Sequence, residues 1–177
     1  MDEATIEETP YGRYVTSEGW FVLNLAEALA VRNEEKGGAT YPIEGRDAPF
    51  PEFGVNVHVI PPGEPTALYH SEEAQEGFLV LSGECTLVVE EQERTLRQWD
   101  YFHCPAGTLH VFVGAGDGPC VILMIGARHE VEHFRYPVSE VAAKHGASVA
   151  QETASPDEAY VDWPGEFVPT RVPWPVE

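Results

Sequence analysis

Two histidines and two glutamates are the residues of this chain whose types and spacing could do chemistry. His70, Glu72 and Glu76 stand in "YHSEEAQEGFLVLSG", just ahead of an apolar run, and His110 closes "PAGTLH" at the start of another. Charged side chains at the margin of a core lose hydration unless something offsets the loss. Alternate residues of a strand face the same way, so His70, Glu72 and Glu76 share a face. The turn made by Pro105 and Gly107 can deliver His110 into the same space. Two imidazoles and two carboxylates suit a divalent metal ion such as zinc, manganese, iron or nickel. On spacing alone a hydrated acidic loop explains "SEEAQE" as well. Glu73 is an adjacent alternative donor with the opposite parity, and Cys104 is a lesser one because no thiolate activator stands near it.

The elements that must position these residues are short strands. From Val55 onward, "VNVHVI", "GFLVLSG", "CTLVVE", "RTLRQWDYFHC", "HVFVGA" and "CVILMIGA" follow one another with turns between them and no intervening helix. That spacing predicts an all-β sandwich or barrel over residues 50–127. "GAGDG" at 114–118 reads as a hairpin turn. Ahead of the barrel, residues 1–49 read as an exposed acidic arm, a strand "GWFVLN" and a short helix "LAEALA" capped by Asn24, with Glu27 completing a capping box. Residues 128–177 read as a helix "PVSEVAAKHG" ended by Gly146, a further turn at "SPDEAY", and a Pro- and Trp-rich tail packed outside the barrel.

The stretch from Pro62 to Gly114 resembles the paired motifs of the cupin superfamily. Gly63, His70, Glu72, Glu76 and Gly83 stand where the first motif has its glycine, two histidines, glutamate and closing glycine; Pro105, Gly107 and His110 meet the core of the second. The resemblance implies a double-stranded β-helix, or jelly-roll, barrel with a metal held by His70, Glu72, Glu76 and His110. Four departures accompany it. The turn after Gly63 is longer by one residue, leaving Tyr69 where the first histidine would otherwise fall, and Glu72 replaces the second histidine. Gly114 replaces a frequent asparagine, and Trp99 occupies the second motif's opening glycine.

Parity extends the interior. Phe78 and Val80 continue the face of Glu76, Phe112 continues that of His110, and His58 with Asn56 alternates against valines. His58, Phe78, Val80 and Phe112 are therefore the predicted pocket residues, although plain core explains the apolar three equally well. An apolar-lined pocket beside a metal suits a small-molecule ligand with a chelating oxygen group. The reading is a metal-binding cupin, either a metal-dependent dioxygenase, isomerase or lyase or a non-catalytic binding and sensing protein. A carboxylate in place of an imidazole makes a divalent site formally neutral and a weaker Lewis acid.

Bulk properties narrow the partners. The chain has 177 residues, enough for one domain, with 30 acidic against 10 basic side chains and a formal net charge of −20. Such a surface repels phosphate backbones and anionic lipids, so neither nucleic acid nor membrane is an expected partner. The acidic opening "MDEATIEETP" is unlike a signal peptide, and the three cysteines, Cys85, Cys104 and Cys120, match no zinc or CxxC spacing, which predicts reduced thiols in a cytoplasmic protein. "CVILMIGA" is apolar on both faces. Burial against a second copy predicts a homodimer; burial under residues 1–49 or 130–177 is the alternative.

Overall fold

The alternation from Val55 onward gives each strand one face to bury, and the computed structural model, which describes residues 1–45, 48–130 and 133–173, shows how the faces meet. In chain order the strands are β1 (Ile6–Thr9), β2 (Gly12–Val15), β3 (Ala30–Asn33), β4 (Ala39–Pro42), β5 (Phe53–Ile60), β6 (Ser71–Glu72) and β7 (Glu76–Ser82). They continue with β8 (Glu84–Val89), β9 (Gln92–Arg97), β10 (Tyr101–Cys104), β11 (His110–Ala115), β12 (Cys120–Ala127), β13 (Phe134–Arg135) and β14 (Phe167–Thr170). Two single helical turns, α1 (Glu140–Ala143) and α2 (Pro156–Ala159), lie between the last two strands.

One sheet has the order β10–β7–β12–β5–β4–β3–β14 and a second the order β11–β8–β9, with β1–β2 and β13–β6 as separate ribbons. The two larger sheets face each other, and Ile60, Phe78, Val80, Leu87, Phe112 and Ile122 fill the space between them with all three cysteines. The predicted all-β jelly roll is present, but as two facing antiparallel sheets without a continuous closed barrel. Two of the places where the chain changes sheet are tight turns of positive φ. At the first, Gly83 (φ 75°) presses against the backbone of Pro119 and Cys120, where a Cβ would collide. The second is at Trp99 (φ 74°), so "RTLRQWDYFHC", expected as one strand, is two strands in different sheets. "GAGDG" is likewise no hairpin: β11 pairs with β8 while β12 pairs with β5 and β7, so the glycines carry a crossing between sheets.

The helical extensions expected at both ends shrink to single turns. Asn24 caps as predicted, accepting from the Ala26 N–H at 3.0 Å, but only a 3-10 turn over Leu25–Glu27 follows, and Ala30 already opens β3. "GWFVLN" forms no strand beyond an isolated bridge at Trp20. Its Leu23 and the following Leu25 instead pack with Ala28, Tyr41 and Val57 against Val121 and Leu123. The second apolar face of β12 is thus covered within the chain as far as Leu123, leaving Ile125 beyond it 41% exposed. At the other end Ser139 caps α1, accepting from the Ala142 N–H at 3.0 Å, and Gly146 (φ 65°) follows it. The tail adds β14 to the edge of β3, while residues 174–177 lie outside the described residues. Among the described residues no helix is long and apolar enough to cross a membrane.

Candidate metal centre

His70 and His110 meet across an antiparallel bridge: each backbone N–H donates to the other's carbonyl, at 3.2 and 2.8 Å. The pairing sets the two rings 5.3 Å apart. Each ring is oriented from behind. His70 Nδ1 donates to the Leu68 carbonyl at 2.7 Å, and His110 Nδ1 donates to the Thr108 carbonyl at 3.1 Å. A carbonyl can only accept, so Nδ1 carries the proton in both rings and the Nε2 lone pairs are left free. Those lone pairs face carboxylates: His70 Nε2 lies 3.4 Å from Glu72 Oε1, and His110 Nε2 lies 3.6 Å from Glu76 Oε2. Glu72 ends β6 and Glu76 opens β7, so the shared parity read from the sequence survives the turn between them.

Cys104 is the neighbour that the sequence ranked low. It ends β10 directly opposite Glu76, with Sγ 4.0 Å from Glu76 Oε2 and 3.6 Å from His110 Nδ1. Donor atoms of Glu76, Cys104 and His110 all lie within 4.8 Å of one another, a grouping able to hold a metal ion. Two features weigh against the thiol. The His110 nitrogen beside it is already committed to Thr108. Burial, reinforced by the charge of Glu76, pushes the Cys104 pKa up to about 12, whereas a metal-ligating cysteine must be a thiolate. Of that grouping, Glu76 and His110 belong to the donor set expected from the sequence; His70 and Glu72 stand beside them but outside the grouping, and Cys104 packs behind.

Electrostatics describe what a cation would relieve. Burial first, and then the charge of Glu72, raise the Glu76 pKa to about 7 against a smaller opposing pull from His70. Burial, with some repulsion from His70, lowers His110 to about 4, so its imidazole is neutral and ready to ligate. For His70 burial is the largest influence and acts downward, but the Glu72 contact, the Leu68 carbonyl and the charge of Glu76 together outweigh it and leave the pKa above its ordinary value. The two carboxylates repel one another, and protons offset that repulsion until a cation replaces them.

The centre lines a cavity of about 360 Å³ together with Asn56, His58, Phe78, Phe112, Met124 and Arg128. Of the predicted pocket residues, His58, Phe78 and Phe112 reach this space; Val80, 1% exposed, lies one step deeper in the core. His58 faces the cavity, partly buried, and burial lowers its pKa to about 4. A larger cavity of about 590 Å³ lies by Lys36 and Trp163, but none of the described groups of metal donors converges there.

Two features of the site were missed by sequence reasoning, and a third, Cys104, was named but ranked low. Tyr136 stacks on the His70 ring at 5.4 Å, contributed by the C-terminal segment. Arg128 stands at the cavity, its Nη atoms donating to both Glu44 oxygens at 2.9 and 2.7 Å and to the Phe50 carbonyl at 2.6 Å. Nothing in the sequence pairs residues so far apart. Cys104 had a usable signal, its place just ahead of the Pro105 turn.

The motif departures have structural reasons too. Tyr69 is fully buried on the other side of the strand, where its hydroxyl accepts from the Glu91 N–H at 3.1 Å, so the lengthened turn presents His70 to the cavity. Gly114 lies against the Pro61 backbone, where a Cβ would collide.

A jelly roll of this topology, with two histidines and two carboxylates meeting in its interior, defines a class, and the comparisons agree with it. The cupin-domain family model matches residues 56–126, and this part of the chain is a cupin domain. The structure is similar to a sugar phosphate isomerase of the cupin superfamily from Silicibacter pomeroyi, at 25% identity and a TM-score of 0.55, covering 64% of this chain and 79% of that one. It is also similar to a protein from Acidithiobacillus ferrooxidans provisionally described as a sugar phosphate isomerase, at 26% identity and a TM-score of 0.51, covering 57% and 67%. The polyketide cyclase RemF of Streptomyces resistomycificus shares the fold, at 17% identity and a TM-score of 0.55, covering 64% and 84%. No curated protein matches the chain.

Proposed function

We propose that this cupin binds one divalent metal ion through His70, Glu72, Glu76 and His110 and acts as a metal-dependent enzyme on a small oxygenated molecule. One observation carries the reading: two oriented Nε2 lone pairs and two carboxylates converge on the wall of a ligand-sized cavity. Among the isomerase, lyase and dioxygenase classes, isomerisation is favoured by the two neighbours at 25 and 26% identity described in those terms. When bound, a divalent cation polarises a carbonyl or hydroxyl oxygen. The chain's own residues do the rest. Leu68 and Thr108 hold the imidazoles in the ligating tautomer, Phe78 and Phe112 exclude water, and Glu72, the more exposed carboxylate, can take up a proton from the substrate.

The charge of the centre favours a second reading, non-catalytic metal or ligand binding. Two carboxylates cancel a divalent charge and weaken the cation as a Lewis acid. Elemental analysis of untagged protein purified without chelators, followed by isomerase, lyase and oxygen-uptake assays in the metal found, separates the readings. About one equivalent of metal with turnover supports the enzyme, and metal without turnover supports the binding protein. Failure to retain zinc, manganese, iron or nickel after reconstitution overturns both.

A further inference from the structure

Opposite the apolar rings, one wall of the cavity carries polarity that the metal centre does not use. Asn56 and His58 project from the same face of β5 into the cavity. The Asn56 Oδ1 atom is buried and has no hydrogen-bond partner, alone in that respect among the described side chains. Its register neighbours cannot supply one: Pro42 on β4 has no donor, and Met124 on β12 offers only a thioether. Beside it, Thr40 Oγ1 lies within hydrogen-bond reach of both ring nitrogens of His58, at 3.5 and 3.4 Å. Native proteins rarely leave a buried polar atom unpaired without a use for it.

We propose that Asn56 is the residue that recognises a ligand hydroxyl, and that the ligand is a small uncharged hydroxyaldehyde or hydroxyketone, not its phosphate ester. Rotation of the carboxamide about its last bond turns either its oxygen or its nitrogen to the cavity. A hydroxyl both donates and accepts, so it satisfies either orientation. His58 adds a neutral ring with one donor and one acceptor at the next position on that face. The charge inventory excludes the ester. The lining residues that carry charge are Glu72, Glu76 and Arg128, and Arg128 is already clamped by Glu44. A divalent cation is cancelled by the two glutamates, which leaves no positive charge for a phosphate dianion. The volume of about 360 Å³ lies at the small end of ligand pockets, sized for a sugar-like molecule.

The inference rests on the proposed metal site for the ligand's other oxygen, and the test keeps the two apart. Manganese is first titrated into wild type, Asn56→Ala and Asn56→Leu. All three are expected to bind it equally, and Asn56→Leu is expected to melt no lower than wild type because it removes an unpaired carbonyl. Each is then titrated calorimetrically with glyceraldehyde, dihydroxyacetone, ribose, xylose, glucose and fructose, and with their phosphate esters. At least one neutral probe should bind wild type about tenfold more tightly than its ester, and both variants should lose that binding by about tenfold, the loss expected for one hydrogen bond. If wild type takes up neither manganese nor, on repetition, zinc, iron or nickel, the metal reading alone falls. The same neutral-over-ester preference and the same loss in the variants are still expected without metal. Absence of binding by every neutral probe, tighter binding of the esters, or unchanged binding by the variants overturns the proposal.

Discussion

The interior of this protein has two ends built from the same strands, and they have opposite characters. Along β5 the inward residues run Asn56, His58, Ile60; along β7 they run Glu76, Phe78, Val80; and β11 begins with His110 before Phe112. At one end of each strand the side chains interdigitate with Leu87, Ile122, Cys85 and Cys120 and leave only packed core. At the other they stop short of one another around a cavity and present nitrogen and oxygen. Parity assigns a residue to the interior; its distance along the strand decides whether the interior is filled there. The packed end supplies the stability with which the polar end can hold desolvated carboxylates and an unpaired amide.

If the two ends are separable in this way, substitutions in each should fail differently. Ile122→Ala, in the packed end, is expected to destabilise the fold by about 2–5 kcal/mol, the usual range for such truncations. Urea denaturation should show the lowered midpoint while metal bound per folded molecule stays unchanged, and a parallel loss of metal would break the distinction. His110→Ala, at the polar end, should lower metal affinity by at least about 100-fold, or about 2.8 kcal/mol at 1.4 kcal/mol per decade. Cys104→Ser should retain affinity within about threefold; a drop as large as that of His110→Ala would make the thiol a ligand in place of a bystander.

The pH dependence sharpens the same contrast. The Glu76 pKa is raised to about 7, chiefly by burial, and His70 is also held above its ordinary value. Both must lose their protons before a cation binds, so affinity should be full only well above pH 7 and fall as pH drops through about 7, where Glu76 takes up its proton, by up to about tenfold per unit for each competing group. His110, lowered to about 4, contributes nothing until far more acid conditions. Competition titrations with a chelator at several pH values would show the fall, and a flat profile between pH 8 and 6 would contradict it. The smallest effect is expected furthest from the cavity. Trp99 is 69% exposed and adopts φ 74°, a left-handed conformation that disfavours any side chain. Trp99→Gly should raise stability by about 1 kcal/mol and leave metal binding untouched. A lower melting temperature would mean that the indole makes a contact worth more than the strain.

Much of the site was legible before the fold was known because it is local in sequence. His70, Glu72 and Glu76 need only strand parity, and His110 needs only the turn that precedes it. Val80 shows the limit of the method: its parity is correct, but how far the cavity reaches is a property of packing. Trp99 misled the strand assignment because an aromatic residue favours strands and the run on either side of it does too, and only the change of sheet places it in the left-handed region. The short helix expected at "LAEALA" failed for a related reason. Its Leu25 and Ala28, with Leu23 just ahead of it, pack on the outside of β12, an instance of tertiary packing overriding local propensity.

By itself the sequence determined the strand-rich interior and which side chains share a face, because periodicity and short-range spacing encode both, and its paired motifs carried the resemblance to the cupin family. The tertiary structure alone decided that Arg128 is tied to Glu44, that Tyr136 backs His70, that Cys104 comes up behind His110, and that Asn56 is left without a partner. Each of these depends on which distant segments are laid side by side, and that is settled by the packing of whole sheets, in which no single local pattern carries the choice.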